Sequence, residues 1–421
     1  MTGTTGTTTS TTLSTDEPTD GAKRPLPGLL QIWSPDGPVS RHVPWCGDEL
    51  LLGRETAALA PGDSRVSRQH CRVTFDGALW VAQDLDSRNG TFLDGVRVHG
   101  PVRVDEGQVL RVGHSLFVAQ SDLHQREGGV EVHDGVIAGA SLREVLRQIT
   151  ERATAGEPLL LVGPTGSGKH LLARRFHELA SAGAPLVNGS HQRIIDDSVE
   201  AALRKAVRAA GAGTLLIVGV DELGAAAQDL LIDLCEPQSR PRLCVTARED
   251  LRVPLRRNRL RKDLFFRLHA SEVKVPSLAH RLEEQAFHIH QELATQRLQA
   301  LPTLVERCVR MPWPGNVREL RAEVRVAGVA ALQEGLSEVA GRHLRAGAGE
   351  AEKPSDADPV SISAERLGDP AHVLAALRTA GGNVRATARA LKVHRNQLSR
   401  WLDQRALDPR ALPADDDEPD R

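Results

Sequence analysis

The sequence predicts a multidomain chain: a β-sandwich, then an α/β domain with a helical subdomain, then a small all-α domain. Three observations support this order. Short β-type runs separated by Gly, Asp and Asn turns fill residues 28–121. Apolar strands alternate with amphipathic helices over residues 136–280, and helical patterns continue over 281–345. A last helical pattern occupies residues 365–407.

Size and composition exclude several classes of protein. A chain of 421 residues can form about two to four domains. Its 53 basic and 55 acidic residues give a net charge of −2, so any surface for nucleic acid must be local. The five cysteines form no Cys-x-x-Cys pair, which excludes a disulfide framework and a zinc site. No apolar run could cross a bilayer and no signal peptide is evident, so we expect a cytoplasmic protein without a metal centre or membrane contact.

The segments between the domains are polar. Residues 1–26 are Thr-rich and without apolar periodicity, so we expect them to be disordered. Residues 122–135 and 346–364 are expected to be linkers, and residues 408–421 a solvated acidic tail.

Three loops of the sandwich point to phosphate recognition. They contain a Gly-Arg pair ending at Arg54, a Ser-Arg-x-His run from Ser67 to His70, and an Asn-Gly pair at Asn89. This spacing resembles the forkhead-associated (FHA) domain, which implies binding of a threonine-phosphorylated protein through Arg54, Ser67, Arg68 and Asn89, with His70 bracing the loops. A guanidinium fork and a hydroxyl donor suit a phosphate. The alternative is that the pairs are only hairpin turns.

A Gly-rich turn follows the apolar strand "PLLLVG" and precedes a helix, which is the context of a P-loop. Its backbone N–H groups and the following helix would hold phosphates, and its lysine would reach the terminal ones. The candidate nucleotide-binding residues are Gly163, Pro164, Thr165, Gly166, Ser167, Gly168, Lys169 and His170. The last position usually has a Ser or Thr that binds Mg²⁺, and here it is His170. The alternative is a structural Gly-rich turn.

Two segments resemble the AAA+ domain of sigma-54-dependent transcription activators. "RKDLFFRL" (261–268) is similar to the arginine-finger segment, and "WPGNVREL" (313–320) to the lid signature. The resemblance implies that ATP is the ligand, that Arg318 contacts it, and that Arg261 and Arg267 act on the nucleotide of a neighbouring subunit. It therefore implies a homo-oligomer, either a dimer or a ring. The alternative is that these arginines are surface cations.

The segment "GGNVRATARALKVHRNQLSRWL" (381–402) resembles the Fis-type helix-turn-helix that ends these activators. The resemblance implies DNA as a partner. Five residues remain available to the major groove once Leu398 and Leu402 face inward: Arg395, Asn396, Gln397, Ser399 and Arg400. The alternative is a helical hairpin with a solvated, charged face.

The chain departs from the family pattern where ATP hydrolysis occurs. Aligned without a gap, the catalytic Asp-Glu pair falls at Val218 and Gly219, and the polar sensor pair falls at Ala247 and Arg248. Asp221 and Glu222 lie three positions further along the chain, which is about 10 Å in an extended strand. They could replace the missing pair only if the strand slid or bulged, because a general base must lie within hydrogen-bond reach of its water. A role for Mg²⁺ therefore stays open.

The loop with which the family contacts sigma-54, of sequence GAFTGA, is missing between Lys169 and Thr214. We therefore expect a transcriptional regulator that binds a phosphothreonine partner, nucleotide and DNA, with weak or no ATP hydrolysis and no remodelling of sigma-54 RNA polymerase. One alternative is an active AAA+ ATPase that activates this polymerase. A second alternative is a phosphopeptide-binding scaffold.

Overall fold

The computed structural model describes residues 24–56, 62–75, 79–189, 199–220, 223, 225–236, 240–350 and 370–379, and the single positions 387, 391 and 402. The chain divides into two compact units, Met1–Glu350 and Ala351–Arg421. The first unit contains the β-sandwich, the α/β domain and the helical subdomain.

The N-terminal part of the first unit is a sandwich of two sheets. Its ten strands are β1 (Gly28–Ser34), β2 (Gly37–Pro44), β3 (Glu49–Leu52), β4 (Cys71–Phe75), β5 (Trp80–Asp84), β6 (Thr91–Leu93), β7 (Val96–Arg97), β8 (Val102–Val104), β9 (Val109–Val112) and β10 (Ser115–Gln120). One sheet has the order β2-β1-β10-β9-β6-β7 and the other β3-β4-β5-β8. The predicted β-sandwich is confirmed. The sequence patterns did not single out β2, which has few apolar residues, or β8, which is only three residues long.

Strands β1 and β10 of the larger sheet are buried on both faces. All seven residues of β1 are buried, although an exposed sheet face would give alternating burial. Leu29 packs into the core between the two sheets. Leu30 and Ile32 point the opposite way, into a second core that they share with the helical subdomain.

Residues 122–135, expected to be a linker, contain regular structure. Leu123–Arg126 form a 3-10 turn capped by Asp122, whose side chain accepts a hydrogen bond from His124 N. Strands β11 (Glu131–His133) and β12 (Val136–Ala138) then form a hairpin. Leu123 is fully buried, so this segment packs against the sandwich. Leu123, Val130 and Val132 are the three apolar side chains of this polar run, and they gave too little periodicity for the sequence to predict this.

The α/β domain is built on a parallel sheet of five strands, in the order β14-β15-β16-β13-β17. The strands are β13 (Leu159–Val162), β14 (Leu186–Asn188), β15 (Thr214–Val218), β16 (Arg242–Ala247) and β17 (Glu272–Lys274). The helices are α1 (Ala140–Ala155), α2 (Lys169–Ser181), α3 (Val199–Ala210), α4 (Ala225–Leu234), α5 (Arg252–Arg256) and α6 (Lys262–His269). Helices cover both faces, which explains the continuous apolar runs of β13 and β15.

The helical subdomain, called the lid below, has three helices: α7 (Leu282–Ala294), α8 (Pro302–Val309) and α9 (Asn316–Gln333). Two short strands pair in parallel: β18 (Gln299–Ala300), which follows α7, and β19 (Glu338–Val339), which follows α9. Helix α7 packs on β1 and β2, and α8 packs on β9 and β10. The lid and the sandwich therefore share one hydrophobic core.

In the second unit, the structure describes one helix, α10 (Pro370–Thr379), in which Val373 and Leu377 are buried one turn apart. Leu391 and Leu402 are also buried. None of the helices in the described part of the chain has both the length and the apolar composition needed to span a bilayer.

Candidate functional sites

The first candidate site lies where three sandwich loops meet. Arg54 follows β3, and its N–H donates to Ser67 O at 3.0 Å. A Cβ on Gly53 would lie 2.0 Å from Arg68 O, so only glycine permits this approach of the two loops. The guanidinium groups of Arg54 and Arg68 are on exposed residues, and Ser67 is half-buried. These three expected phosphate-binding residues therefore lie on adjoining loops.

His70 connects the same loops from the buried side. It is fully buried, its Nδ1 accepts from Ser67 N at 3.1 Å, and its Nε2 lies 3.2 Å from Gly90 O. Burial lowers the pKa of His70 despite opposing effects of the Gly90 carbonyl and Asp84. The imidazole is therefore neutral at pH 7, with its remaining proton on Nε2, donated to Gly90 O. His70 braces the loops and does not face a ligand.

The second and third loops each add a cation that the sequence patterns did not single out, Arg65 and Arg88. Asn89 Nδ2 donates to Arg65 O at 2.7 Å, and Ser67 Oγ accepts from Arg88 N at 3.2 Å. Arg65 and Arg88 are exposed. The signal for them was the Ser-Arg pair that occurs at 64–65, 67–68 and 87–88. The meeting loops thus bring four arginines together, which suits a dianionic phosphate.

The second candidate site is the Gly-rich turn between β13 and α2. Gly166 and Gly168 have left-handed φ values of 77° and 106°, which let the turn curl. Lys169 begins α2, and its Nζ donates to Gly163 O at 2.6 Å and Pro164 O at 2.9 Å. The amine therefore folds back over the turn that would hold phosphates.

The lid closes on this turn through polar contacts with its backbone. Asn316 Nδ2 donates to Thr165 O at 2.9 Å, and its Oδ1 accepts from Leu278 N. Arg281, which is 2% exposed, donates to Ser167 O at 2.9 Å and pairs with the buried Glu284. The sequence patterns did not identify Asn316 or Arg281 as site residues, because their contacts span more than 100 positions of the chain.

Three cationic side chains converge near the turn. Burial is the largest cause that lowers the pKa of Lys169 to about 8, and the positive charges of Arg248 and Arg318 lower it further. Burial also lowers the pKa of His170, with smaller effects from Arg318 and Lys169. Arg248 was not among the expected site residues, although it directly follows β16 at the same sheet edge.

The strand tip beside the turn has no acid at the family's positions. Strand β15 pairs with β16 in regular register from Thr214↔Arg242 to Val218↔Thr246. Gly219 N then donates to Thr246 O at 3.2 Å, and the φ of Gly219 is 77°. Asp221 and Glu222 lie outside the described residues.

The side chains described here do not fit Mg²⁺, which prefers hard oxygen ligands. Val218 and Gly219 offer none, His170 offers imidazole nitrogens that suit softer metals, and Arg248 is a cation. In the part of the chain that the structure describes, no group of three or more His, Cys, Asp or Glu side chains could hold a metal ion.

Of the two arginine-finger candidates, Arg261 is the residue just before α6 and Arg267 lies in its last turn; both are exposed and paired within the chain. Arg261 pairs with Asp229 and with Asp263, the latter at 2.7 Å, and Arg267 pairs with Glu236. The side chains of both arginines are about two-fifths exposed. The candidate DNA-binding residues Arg395, Asn396, Gln397, Ser399 and Arg400 lie outside the described residues.

Two family models match the chain. The FHA domain model matches residues 50–113, which include all three sandwich loops. The sigma-54 interaction domain model matches residues 137–278, from before α1 to the start of the lid.

Similar proteins include transcriptional regulators. ZraR of Salmonella typhi is 26% identical over 323 residues, which are 65% of this chain and 71% of ZraR. HrpR, a regulatory protein of a pathogenicity locus in Pseudomonas syringae pv. syringae, is 30% identical over 216 residues, which are 42% of this chain and 69% of HrpR. Among solved structures, NtrX from Brucella abortus in complex with ATP is 22% identical, covers 65% of this chain and 69% of its own, and has a TM-score of 0.45.

The match to HrpR covers more than two thirds of that protein, and the family model covers the α/β domain that contains the Gly-rich turn. The resemblance to the family of sigma-54-dependent activators is thereby confirmed. The chain belongs to the family of transcriptional regulators with a sigma-54 interaction domain, and it has an FHA domain before that domain.

Proposed function

We propose that this regulator binds a threonine-phosphorylated protein through its FHA domain, ATP through its AAA+ domain, and DNA through its C-terminal unit. It hydrolyses ATP weakly or not at all, and it does not remodel sigma-54 RNA polymerase. The observation on which the proposal rests is the regular register of β15, which keeps Val218 at the strand tip beside the nucleotide turn.

The register argues against a substitute pair of acids. A bulge in β15 would interrupt the pairing with β16, but each residue from Thr214 to Val218 has its partner in sequence. In the sequence, Asp221 and Glu222 come three positions after the family's catalytic positions, Val218 and Gly219. A slip of three residues would be needed to bring them back, and an odd slip would also turn the side chains of the strand to the opposite face. A general base acts across about 3 Å, so hydrolysis is expected to be lost or slow.

An assay of ATP turnover tests the catalytic part of the proposal. Purified protein at high concentration should turn over ATP no faster than its Lys169→Ala variant. The active-ATPase alternative draws support from Lys169, Arg318 and the two candidate fingers, Arg261 and Arg267. It requires turnover that is lost in both Lys169→Ala and Asp221→Ala, and that result would overturn the proposal.

The FHA part of the proposal draws on the arginines at the meeting loops. A phosphothreonine peptide should bind, the unphosphorylated peptide should not, and Arg54→Ala should weaken binding by about tenfold or more, since hydrogen bonds to charged groups contribute about 1.5–3 kcal/mol. Arg103→Ala is the matched control, because Arg103 is exposed on β8 and pairs with Asp105. Equal effects of the two substitutions would contradict the assignment.

The DNA-binding part of the proposal depends on the family resemblance of residues 381–402. Binding to promoter DNA should weaken steeply with salt and be lost in Arg395→Ala/Arg400→Ala. The scaffold alternative expects no shift of DNA by the unmodified protein. Helix-turn-helix units usually bind paired half-sites, so a dimer or a larger ring is part of the proposal.

A further inference from the structure

The nucleotide turn is surrounded by an unusual set of charges. The two charged neighbours that lower the pKa of Lys169 are the cations Arg248 and Arg318. Glu319, the acid next to Arg318 in sequence, accepts from Gly315 N at 2.6 Å and so is engaged with the lid turn. Lys169 itself donates to two backbone carbonyls of the turn. A polyphosphate here would meet three cationic side chains.

Arg248 is placed by the sheet at the edge where the phosphates would lie. Ala247 is the last residue of β16 and pairs with Val162, the last residue of β13. Its carbonyl accepts from Gly163 N, the first amide of the turn, at 3.2 Å. Arg248 comes next and is exposed. A guanidinium can donate two parallel hydrogen bonds to a phosphate, which a neutral polar side chain at this position could not match.

The usual magnesium ligands are replaced at the same edge. Mg²⁺ at a nucleotide is held by a hydroxyl of the turn, by a strand-tip carboxylate and by the phosphates. The corresponding positions have His170 and Val218, and Gly219 follows Val218 without a side chain. Arg248, Arg318 and Lys169 would also repel a dication. The site has therefore exchanged metal ligands for fixed positive charge.

We infer that this site binds ATP as the metal-free anion, with Arg248, Arg318 and Lys169 neutralising the phosphate charge that Mg²⁺ neutralises elsewhere. The inference rests on the proposed function of ATP binding. It also explains why hydrolysis would be weak, because no metal would be present to stabilise charge on the transferring phosphate.

Titration of the full chain with fluorescently labelled ATP, in excess Mg²⁺ and in excess EDTA, tests the inference. The two dissociation constants should agree within about threefold, which is well under 1.4 kcal/mol. Arg248→Ala should weaken metal-free binding by about tenfold or more, because it removes a charge-assisted hydrogen bond. Arg256→Ala, which removes an exposed arginine from the nearby helix α5, is the matched control and should bind like the parent.

A substitution that restores a metal ligand should reverse the behaviour. Val218→Asp places a carboxylate at the strand tip, so its binding should weaken in EDTA and recover with Mg²⁺. A thermal melt of each variant shows whether it is folded. If Val218→Asp does not fold, Arg248→Ala still tests the inference, because Arg248 is at an exposed position.

Three results would overturn the inference. Binding at least about tenfold tighter with Mg²⁺ and weakened by Asp221→Ala or Glu222→Ala would place a metal in the site and leave ATP binding intact. Equal losses in Arg248→Ala and Arg256→Ala would remove Arg248 from the site. Absence of binding by the unmodified protein in both buffers would overturn the proposed ATP binding as well.

Discussion

At the scale of single residues, burial decides which polar groups face ligands and which support the fold. His70 is fully buried, so the imidazole is neutral and braces two loops. Arg54, on the same loops, is exposed to solvent. Lys169 is intermediate, because it is partly buried and lies among cations. Its protonation therefore depends on pH near the physiological range.

The lowered pKa of Lys169 predicts a pH dependence of ATP binding. Without a ligand, the pKa of Lys169 is lowered to about 8, and the phosphates of a bound nucleotide would raise this pKa. Affinity should then be full below pH 8 and fall as pH rises above it, by about tenfold between pH ~7.5 and pH ~9.5. His170 does not titrate in this window, because its pKa is lowered from 6.5.

Labelled-ATP titrations across this range provide the measurement. Lys169→Arg is the control, because a guanidinium stays protonated throughout and its affinity should be flat. A parallel decline in the unmodified protein and in Lys169→Arg would assign the titration to another group.

At the scale of elements, the lid turn Trp313–Asn316 is held in a strained form against the Gly-rich turn between β13 and α2. Trp313 and Asn316 have left-handed φ values of 46° and 53°, which are uncommon for residues other than glycine. The Trp313 ring is buried and its Nε1 donates to Cys308 O at 2.7 Å. Asn316 bonds both to Thr165 O and to Leu278 N. These contacts offset the strain and fix the turn where it meets the P-loop.

Two of the three glycines of the P-loop, Gly166 and Gly168, give a matched pair of substitutions. Both have left-handed φ, so Gly166→Ala and Gly168→Ala should each cost about 1–2 kcal/mol of strain. A Cβ on Gly166 would also lie 1.9 Å from Gly315 O, whereas one on Gly168 has nothing within 4 Å. Gly166→Ala should therefore destabilise the protein more and separate the lid from the turn. Urea unfolding and labelled-ATP binding measure both effects, and equal losses would contradict the closed lid.

At the scale of the whole molecule, the FHA domain and the lid are joined through one core and a buried ion pair. Trp33, Leu116 and Val118 of the sandwich share a hydrophobic cluster with Ile289 and Val305 of the lid. Glu306 of α8 is 4% exposed; it accepts from Arg111 Nε and from Gly95 N, both at 2.7 Å. The FHA domain is thus fixed to the subdomain that closes on the nucleotide turn.

Breaking this ion pair should be costly. Glu306→Ala leaves Arg111, at 15% exposure, and the Gly95 amide without their partner, so we expect a loss of about 3 kcal/mol in the free energy of unfolding. In a double-mutant cycle with Arg111→Ala, the double variant should lose less than the sum of the single losses.

The Arg103–Asp105 pair supplies the control, because its N···O distance is also 2.7 Å but both side chains are more than 60% exposed. Asp105→Ala should change the stability by less than about 1 kcal/mol. Similar losses for Asp105→Ala and Glu306→Ala would show that the interface is not buried in solution.

The sequence by itself determined the kinds of domain, and it predicted the chemistry of their sites. The run "PLLLVG" followed by "GPTGSGKH" predicted a strand, a phosphate turn and a helix, and these are β13, the turn and α2. These features are local, because periodicity and turn residues act over a few positions. The sequence could not decide whether β15 slides or bulges to bring Asp221 and Glu222 into place, since strand pairing joins residues distant in the chain.

Only the tertiary structure showed how the domains of the first unit pack against one another. The apolar face of "GLLQIWS" gave no indication that Leu30 and Ile32 lie against a lid some 250 positions later. Nor could the spacing place Arg248 beside Gly163, because that depends on β16 lying next to β13. An exposed and a buried strand face have the same two-residue period. The sequence likewise does not show which part of the fold an arginine side chain lies against. Their meaning comes from the packing of elements far apart along the chain.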